Sequence, residues 1–320
     1  MKLLIQIPCY NEAATIGQVL AGLPRRLDGF ERIETLVIDD GSQDDSAQVA
    51  AAAGADHVLR LGRHAGLAAA FAAGLDACLQ RGADVIVNID ADGQYDPADL
   101  PALLAPILAG QAGLVVGDRQ AAGRRTFTPL KSGLQRLGSA VVSRAAGLPI
   151  PDAASGLRAL TRQTALRTIV LSEYSYTLET LIQAGAEQTA VAHVAVQSHP
   201  TARPSRLMRS LSDYLLHSVV IILHAYTRYR PLHVFSAAGG GLLLGGLALA
   251  LRYLVFFFQG QGQGHVQSVI LAAVLLIAGF QTLLIGLVAD LIAFNRRLLE
   301  DVLYRLRRLE LGEPPREPRP

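Results

Sequence analysis

Between residues 87 and 97 the chain reads VNIDADGQYDP. An apolar run stops at an acid, and Asp90, Asp92 and Asp96 then crowd together with Gln94 among them. Carboxylates this close repel one another and call for a positive partner. Asp90 and Asp92 are two apart, so a persisting strand geometry turns both side chains to the same side. Oxygen ligands at this density suit a hard cation, Mg2+ or Mn2+, which keeps open positions for substrate phosphates. D-x-D alone is a short signal, and by itself it more often marks an acidic turn. Asp96-Pro97 in particular suits the start of a helix.

Acids act only where a framework holds them. KLLIQI (2–7), closed by Pro8, reads as a first strand, and IETLVI (33–38), DHVLRL (56–61), VIVNI (85–89) and GLVVG (113–117) as further strands. A helical pattern through Ile16, Val19, Leu20 and Leu23 follows the first strand, and Asp44 or Asp45 can cap a helix after the second. Ala-rich helical segments occupy 66–80 and 97–109. Beyond them we expect a basic amphipathic helix at 130–147, a strand at 155–161, a helix at 176–187 and a strand at 190–197. Strand and helix alternate, which predicts an α/β sheet covered by helices. In such sheets ligands lie beyond the carboxyl ends of the strands. PCYNE, DDGS, DADGQ and GDR each follow an apolar strand, so the four polar clusters converge on one edge. That convergence is stronger evidence than any one of them.

With 320 residues, the chain is long enough for one large or two ordinary domains. It is 51% hydrophobic with a mean hydropathy of +0.31, high for a wholly soluble protein. The net charge of +2 and pI of 8.6 give no argument for nucleic acid. Cys9 and Cys78 have neither metal-ligand spacing nor a disulfide framework and read as inert core thiols. The N-terminus MKLLIQIPCYNE turns polar too soon for a signal peptide.

The apolar excess lies in the C-terminal third. Residues 232–258 and 268–294 are each long enough to span a bilayer, for which about 20 residues suffice. Arg252 lies near the end of the first span and can snorkel, and Gln281 near the middle of the second suits an interhelical hydrogen bond. The preceding stretch 205–231 sets Arg206, Arg209, Arg228 and Arg230 beside an apolar face, as interfacial helices do. The loop between the spans has no Lys or Arg, whereas the outer flanks are rich in Arg. The positive-inside rule then places both termini in the cytoplasm, making the protein a multi-pass protein of the inner membrane. The tail 295–320 carries a basic amphipathic pattern that suits either anionic lipid or a partner subunit.

Together PCYNE, DDGS, DADGQ and GDR, with SGLR at 155–158 and RPSRL at 203–207, resemble the family 2 glycosyltransferases, which have a GT-A (Rossmann-like nucleotide-binding) fold. The resemblance covers about residues 1 to 210; with two C-terminal spans it extends to the polyprenyl-phosphate glycosyltransferases, the dolichol-phosphate mannose synthase-like group. It implies a cytoplasmic catalytic domain over 1–204, interfacial helices over 205–231, the membrane hairpin over 232–294 and a cytoplasmic tail over 295–320. It also implies roles. Pro8, Tyr10 and Glu12 line a nucleoside pocket, with Ile38 and Asp40 at the base and ribose, while Asp39 braces its turn. Asp90, Asp92 and Gln94 hold Mg2+ or Mn2+ against the donor diphosphate, and Ala91 contributes backbone. Arg119 faces a phosphate, and Arg203 and Arg206 close over the phosphates from the membrane side. Asp92 and Arg119 are the residues on which catalysis is expected to depend. Such enzymes usually carry Asn in the loop before the Ala-rich helix; here RHAGLAAAF has His64, for which a surface position in a tight loop is the better reading and a ligand contact the alternative.

The reaction so implied is inverting transfer of a sugar from a UDP- or GDP-linked donor to a polyprenyl phosphate. The acceptor's second pKa is about 6, so it is anionic near neutral pH and no general base is assigned. Competing readings are a membrane-anchored glycosyltransferase acting on a glycan, protein or lipid hydroxyl, and a non-catalytic assembly subunit. No G-x-G-x-x-G follows the first strand and no P-loop motif occurs, which argues against a dehydrogenase or NTPase. The glycines at 239–246 fit close packing of spans, including within a homo-oligomer.

Overall fold

The computed structural model describes residues 1–119, 139–140, 142–144, 146–170, 176–199, 231–260 and 266–312. Arg203, Arg206, most of the expected basic helix and residues 205–230 of the interfacial stretch lie outside the described residues. The chain divides into one unit of Met1–Ser218 with Asp301–Pro320 and a second of Val219–Glu300.

The first unit is built on a seven-stranded sheet. Its strands are β1 (Lys2–Cys9), β2 (Arg32–Asp39), β3 (His57–Arg60), β4 (Val85–Asn88), β5 (Leu114–Asp118), β6 (Arg158–Thr161) and β7 (Val191–Ala195). The spatial order is β3-β2-β1-β4-β6-β5-β7. β1 pairs in parallel with both β2 and β4 and is buried along nearly its whole length, as its unbroken apolar run requires when helices cover both faces. The helices of this unit are α1 (Ile16–Gly22), α2 (Ser46–Ala52), α3 (Leu67–Gln80), α4 (Leu100–Leu108), α5 (Arg162–Arg167) and α6 (Tyr176–Ala186).

Two features depart from the expected element bounds. β6 runs antiparallel between β4 and β5, with Arg158 opposite Asn88 on one side and Val116 on the other. The chain therefore enters β6 where β4 and β5 leave the sheet, which delivers residues 152–157 to the polar edge. The expected strand at 155–161 is accordingly shorter, because its first residues serve as a loop. The expected helix at 97–109 divides into a 3-10 turn (Pro97–Asp99) and α4. Asp96 caps the turn by accepting from Ala98 N at 2.9 Å.

The second unit contains α7 (Pro231–Phe258) and most of α8 (Val266–Glu310). Both are long and apolar enough to cross a membrane. Their outward side chains are apolar and open, Leu244 at 69% and Phe258 at 79% exposed. The helices touch through small residues: a Cβ on Gly239 would lie 2.9 Å from the Gly279 carbonyl, and one on Gly279 would lie 2.8 Å from Leu243. Gly239 thus serves packing within the hairpin.

Through the expected tail region α8 continues unbroken, 45 residues in all, to Glu310. From Asp301 onward it belongs to the first unit. Tyr304 is buried with the Arg167 guanidinium 4.2 Å from its ring, and Arg307 donates to the carbonyls of Leu166 and Thr168 and pairs with Asp76 at 3.1 Å. One side of the tail helix is therefore committed to its own chain.

Candidate active site

The polar edge forms where β1, β2, β4 and β5 end. Parallel register puts Gln6 beside Asn88 and Cys9 beside Asp39, so the loops after β1, β2 and β4 emerge side by side. Below them lies a buried amide ladder. Gln6 Nε2 donates to Asn88 Oδ1 at 2.9 Å, and Asn88 Nδ2 donates to the Gly156 carbonyl at 2.9 Å and to Tyr176 Oη at 3.0 Å. Buried amides need such partners, and here the partners tie the 152–157 loop to the floor of the site.

The loop after β1 is sewn to the loop after β2. Asn11 takes a left-handed conformation (φ 52°), and its side-chain oxygen accepts from Gln43 N while its own N–H donates to Ser42 Oγ. Glu12 N donates to Ser46 Oγ at 2.7 Å, and Glu12 Oε2 accepts from Thr15 Oγ1. Asp39 Oδ1 accepts from Ser42 N at 3.0 Å within its turn. Asp40 is more occupied than the expected base or ribose contact implies. Its two oxygens accept from Ala65 N and Gly66 N, and His64 Nδ1 lies 2.8 Å from Oδ2. Any ligand hydroxyl has to share those oxygens. Ile38 is fully buried, with its Cδ1 directed into the space left by Gly74 of α3. Its side chain is closed to a ligand, and so are the buried Pro8 and Ala91; these positions can offer backbone only. Tyr10 is half-buried and stacks on His64, ring centroids 3.8 Å apart. His64 is a surface histidine, as expected, and its ring lies against Tyr10 and the Asp40 carboxylate.

Asp90 and Asp92 follow β4 as half-buried side chains. None of the described residues donates a hydrogen bond to the Asp90 carboxylate; burial and then the Asp92 charge push it up to about 7. Arg119 and Arg158 oppose that rise. Burial also raises Asp92, whose Oδ1 accepts from Gln94 N at 3.0 Å across a turn that needs Gly93 at φ 71°. The wall beside Asp90 is Gly156, where a Cβ would overlap the carboxylate oxygens. Gly156 N donates to Tyr95 Oη at 2.8 Å, fixing that approach. Gln94 is half-buried, and its carbonyl accepts from His199 N.

These residues suit a hard divalent cation. Asp90 and Asp92 are oxygen donors held close against their own repulsion, and Asp90 has no proton donor among the described residues to satisfy it. Among the described residues no third His, Cys, Asp or Glu joins them into a metal cluster; of those residues, Gln94 is the side chain that could add an oxygen, with water or a bound phosphate able to supply the rest.

Arg119 leaves β5 with a buried side chain and is clamped by Asp152, Nε to Oδ2 at 2.7 Å and Nη2 to Oδ1 at 3.0 Å. Its pKa is held above the ordinary arginine value despite burial, by the nearby Tyr95, Asp152 and Asp90. Two of its N–H donors serve Asp152, which fixes the guanidinium near Asp90 and leaves its other N–H groups for the expected phosphate. Asp152 was not singled out in the sequence. The only signal was an acid directly before AASG, too common a pattern to stand out.

Comparisons with known proteins bear on this arrangement. A family model described as Glycosyl transferase family 2 matches residues 4–167. The chain is 30% identical over 314 residues to an undecaprenyl-phosphate 4-deoxy-4-formamido-L-arabinose transferase of Pseudomonas paraeruginosa, covering 95% of this chain and 87% of that one. It is 29% identical over 317 residues to glycosyltransferase AglJ of Haloferax volcanii, covering 96% and 97%. Among solved structures, glucosyl-3-phosphoglycerate synthase of Mycobacterium tuberculosis in complex with Mn2+, UDP and glucosyl-3-phosphoglycerate is similar at a TM-score of 0.53 and 22% identity, covering 71% of this chain and 78% of that one. At that identity the likeness is one of fold.

Proposed function

The chain belongs to glycosyl transferase family 2, and we propose that it transfers a glycosyl group from a nucleotide sugar to a polyprenyl phosphate, with inversion, using a divalent cation at the cytoplasmic face of the inner membrane. Its sheet is a GT-A fold and it is a glycosyltransferase. The observation that carries the finer reading is a combination. A paired-acid site with a fixed arginine lies at the sheet's carboxyl edge, in a chain that also has two helices able to cross a membrane. The undecaprenyl-phosphate relative matches over nearly the full length, helices included.

In this reading the loops after β1 and β2 receive the nucleoside, with Tyr10 and His64 as the aromatic surface and Asp40 beneath. Asp90 and Asp92, with Gln94, hold Mg2+ or Mn2+; the cation supplies positive charge to the donor diphosphate as it leaves. Arg119 adds a preorganised charge that costs no reorientation during reaction, since Asp152 already fixes it. Arg203 and Arg206 complete the phosphate grip from the membrane side. A phosphate acceptor attacks as an anion near neutral pH, so the residues need only align it, and no base is required. The Arg-rich flanks of the hairpin and its Arg- and Lys-free loop support cytoplasmic termini. The tail docked through Tyr304 and Arg307 supports a cytoplasmic tail on the same side as the catalytic unit.

The test is a donor panel. Each UDP- and GDP-sugar is incubated with the purified protein, Mn2+ or Mg2+, and undecaprenyl or dolichyl phosphate, and the lipid is read by mass. One donor should add a single glycosyl unit, and excess chelator should stop it. Full turnover in chelator would remove the cation from the account.

A further inference from the structure

Arg158 is among the largest side chains that are fully buried in this protein, and nothing in the proposed reaction uses it. Taking a guanidinium out of water is expensive unless carboxylates pair with it. Among the described residues no carboxylate lies within ion-pair distance of Arg158. Its Nε donates to the Ser155 carbonyl at 3.0 Å, its Nη2 to the Ala153 carbonyl at 3.1 Å and its Nη1 to Thr180 Oγ1. Its guanidinium carbon lies 5.6 Å from the Tyr176 ring centroid. Burial pushes its pKa down, and Tyr176, Tyr95, Asp152 and Asp90 hold it up from a distance.

The two carbonyls are informative. Ala153 and Ser155 lie within the loop that presents Asp152 to Arg119 and Gly156 to Asp90. The same loop is held from the other side by Tyr95 Oη on Gly156 N and by Asn88 Nδ2 on the Gly156 carbonyl. Its backbone is thus gripped on both sides, and Arg158 supplies the inner grip with a planar fork that no other side chain reproduces. We propose that Arg158 is a positioning residue of the donor site: by holding the 153 and 155 carbonyls it sets Gly156 against Asp90 and Asp152 against Arg119. The inference deepens the reading given above and rests on it for the identity of the ligand. A buried charge retained at this cost is then explained by the geometry it enforces on the paired acids and the fixed arginine.

A purely structural role makes a different prediction. Arg158→Met removes the buried charge but leaves the 153 and 155 carbonyls and the Thr180 hydroxyl without their donor, so a lower melting temperature is expected under either role. A role in stability alone would stop there and leave ligand affinity unchanged in the folded fraction, whereas a positioning role also loosens the site and weakens ligand binding in that fraction. Lys cannot reach three acceptors with one ammonium, so Arg158→Lys should not rescue.

The experiment uses the full-length protein in detergent micelles. Amide hydrogen exchange is followed over residues 152–157, and Mn2+–UDP and Mn2+–GDP binding is measured by calorimetry, for wild type, Arg158→Met, Arg158→Lys and Thr180→Val. The two Arg158 variants should exchange faster in 152–157 and bind the better nucleotide at least about tenfold more weakly, the loss expected from one or two hydrogen bonds. Thr180→Val removes only the side contact and should give a smaller change of the same sign, which keeps the test alive should an Arg158 variant fail to fold. Wild-type exchange across 152–157 in the folded variants, or faster exchange with unchanged affinity, overturns the proposal. Binding of neither nucleotide by the wild type overturns the donor-site reading instead, and the exchange data then still decide whether Arg158 holds the loop.

Discussion

The acid that ends β4 gives a quantitative prediction. Asp90 stands at about 7 through burial and the neighbouring Asp92 charge, against an ordinary 3.8. A carboxyl coordinates a hard cation only when ionised, so cation binding must expel its proton below that pH. At pH 6 roughly one such group in eleven is ionised, and apparent affinity should be about tenfold below its plateau; at pH 5 the loss is about a hundredfold. Above pH 8 affinity should be flat. The linked effect on the cation-free fold follows from the same shift. A carboxyl raised above its unfolded value binds its proton more tightly when folded, so this group's contribution falls as pH rises from about 3.8 to about 7. Asp90→Asn, which mimics the protonated form, should be as stable as wild type or more so at pH 8 without cation, yet should not bind Mn2+–nucleotide. Calorimetry from pH 5.5 to 8.5 in buffers of different ionisation enthalpy counts the protons released, with the nucleotide's own titration by Mn2+ subtracted. Corrected affinity that stays level across this range, or Asn at 90 with wild-type affinity, would refute the reasoning.

Three further outcomes are expected. Asp152→Ala leaves the buried Arg119 charge without its clamp and should cost about 3–5 kcal/mol of stability, read as a fall in melting temperature; Asp152→Asn should cost less. Arg307→Ala removes the Asp76 pair and two carbonyl contacts from the tail helix and should speed hydrogen exchange in 301–310 without altering nucleotide affinity. An introduced cysteine at Gly262, between the two apolar helices, should react with a membrane-impermeant reagent from outside intact cells, and labelling only after permeabilisation would reverse the orientation.

Much of the sheet was legible because its strands are apolar runs that end at polar clusters. KLLIQI, IETLVI and VIVNI declared β1, β2 and β4, and the loops that follow them carry the site. The division of labour inside VNIDADGQYDP was legible as well, since Asp96 beside Pro97 has the signature of a cap and the structure makes it one. What stayed hidden depends on long-range pairing. The antiparallel entry of β6 cannot be told from a parallel strand by periodicity, and it is this reversal that brings Asp152, Gly156 and Arg158 to the acids. The Arg119–Asp152 clamp joins residues 33 positions apart with no local pattern to announce it. Asp40 looked free to bind a nucleoside because its loop partners, Ala65 and Gly66, offer only backbone N–H groups that no side-chain motif reveals. The tail's amphipathic pattern was legible, but leucines at helical spacing do not say what covers them, and the seating of Tyr304 and Arg307 on the first unit was not.

The central claim is the acceptor. With the active donor in hand, purified wild type and Asp92→Ala are each offered undecaprenyl phosphate and undecaprenol in parallel, with Mn2+ present, and the lipid products are read by mass. The account predicts that wild type adds one glycosyl unit to the phosphate and none to the alcohol, and that Asp92→Ala, still folded, adds none to either. Transfer to undecaprenol, or transfer to the phosphate by Asp92→Ala at the wild-type rate, would contradict it.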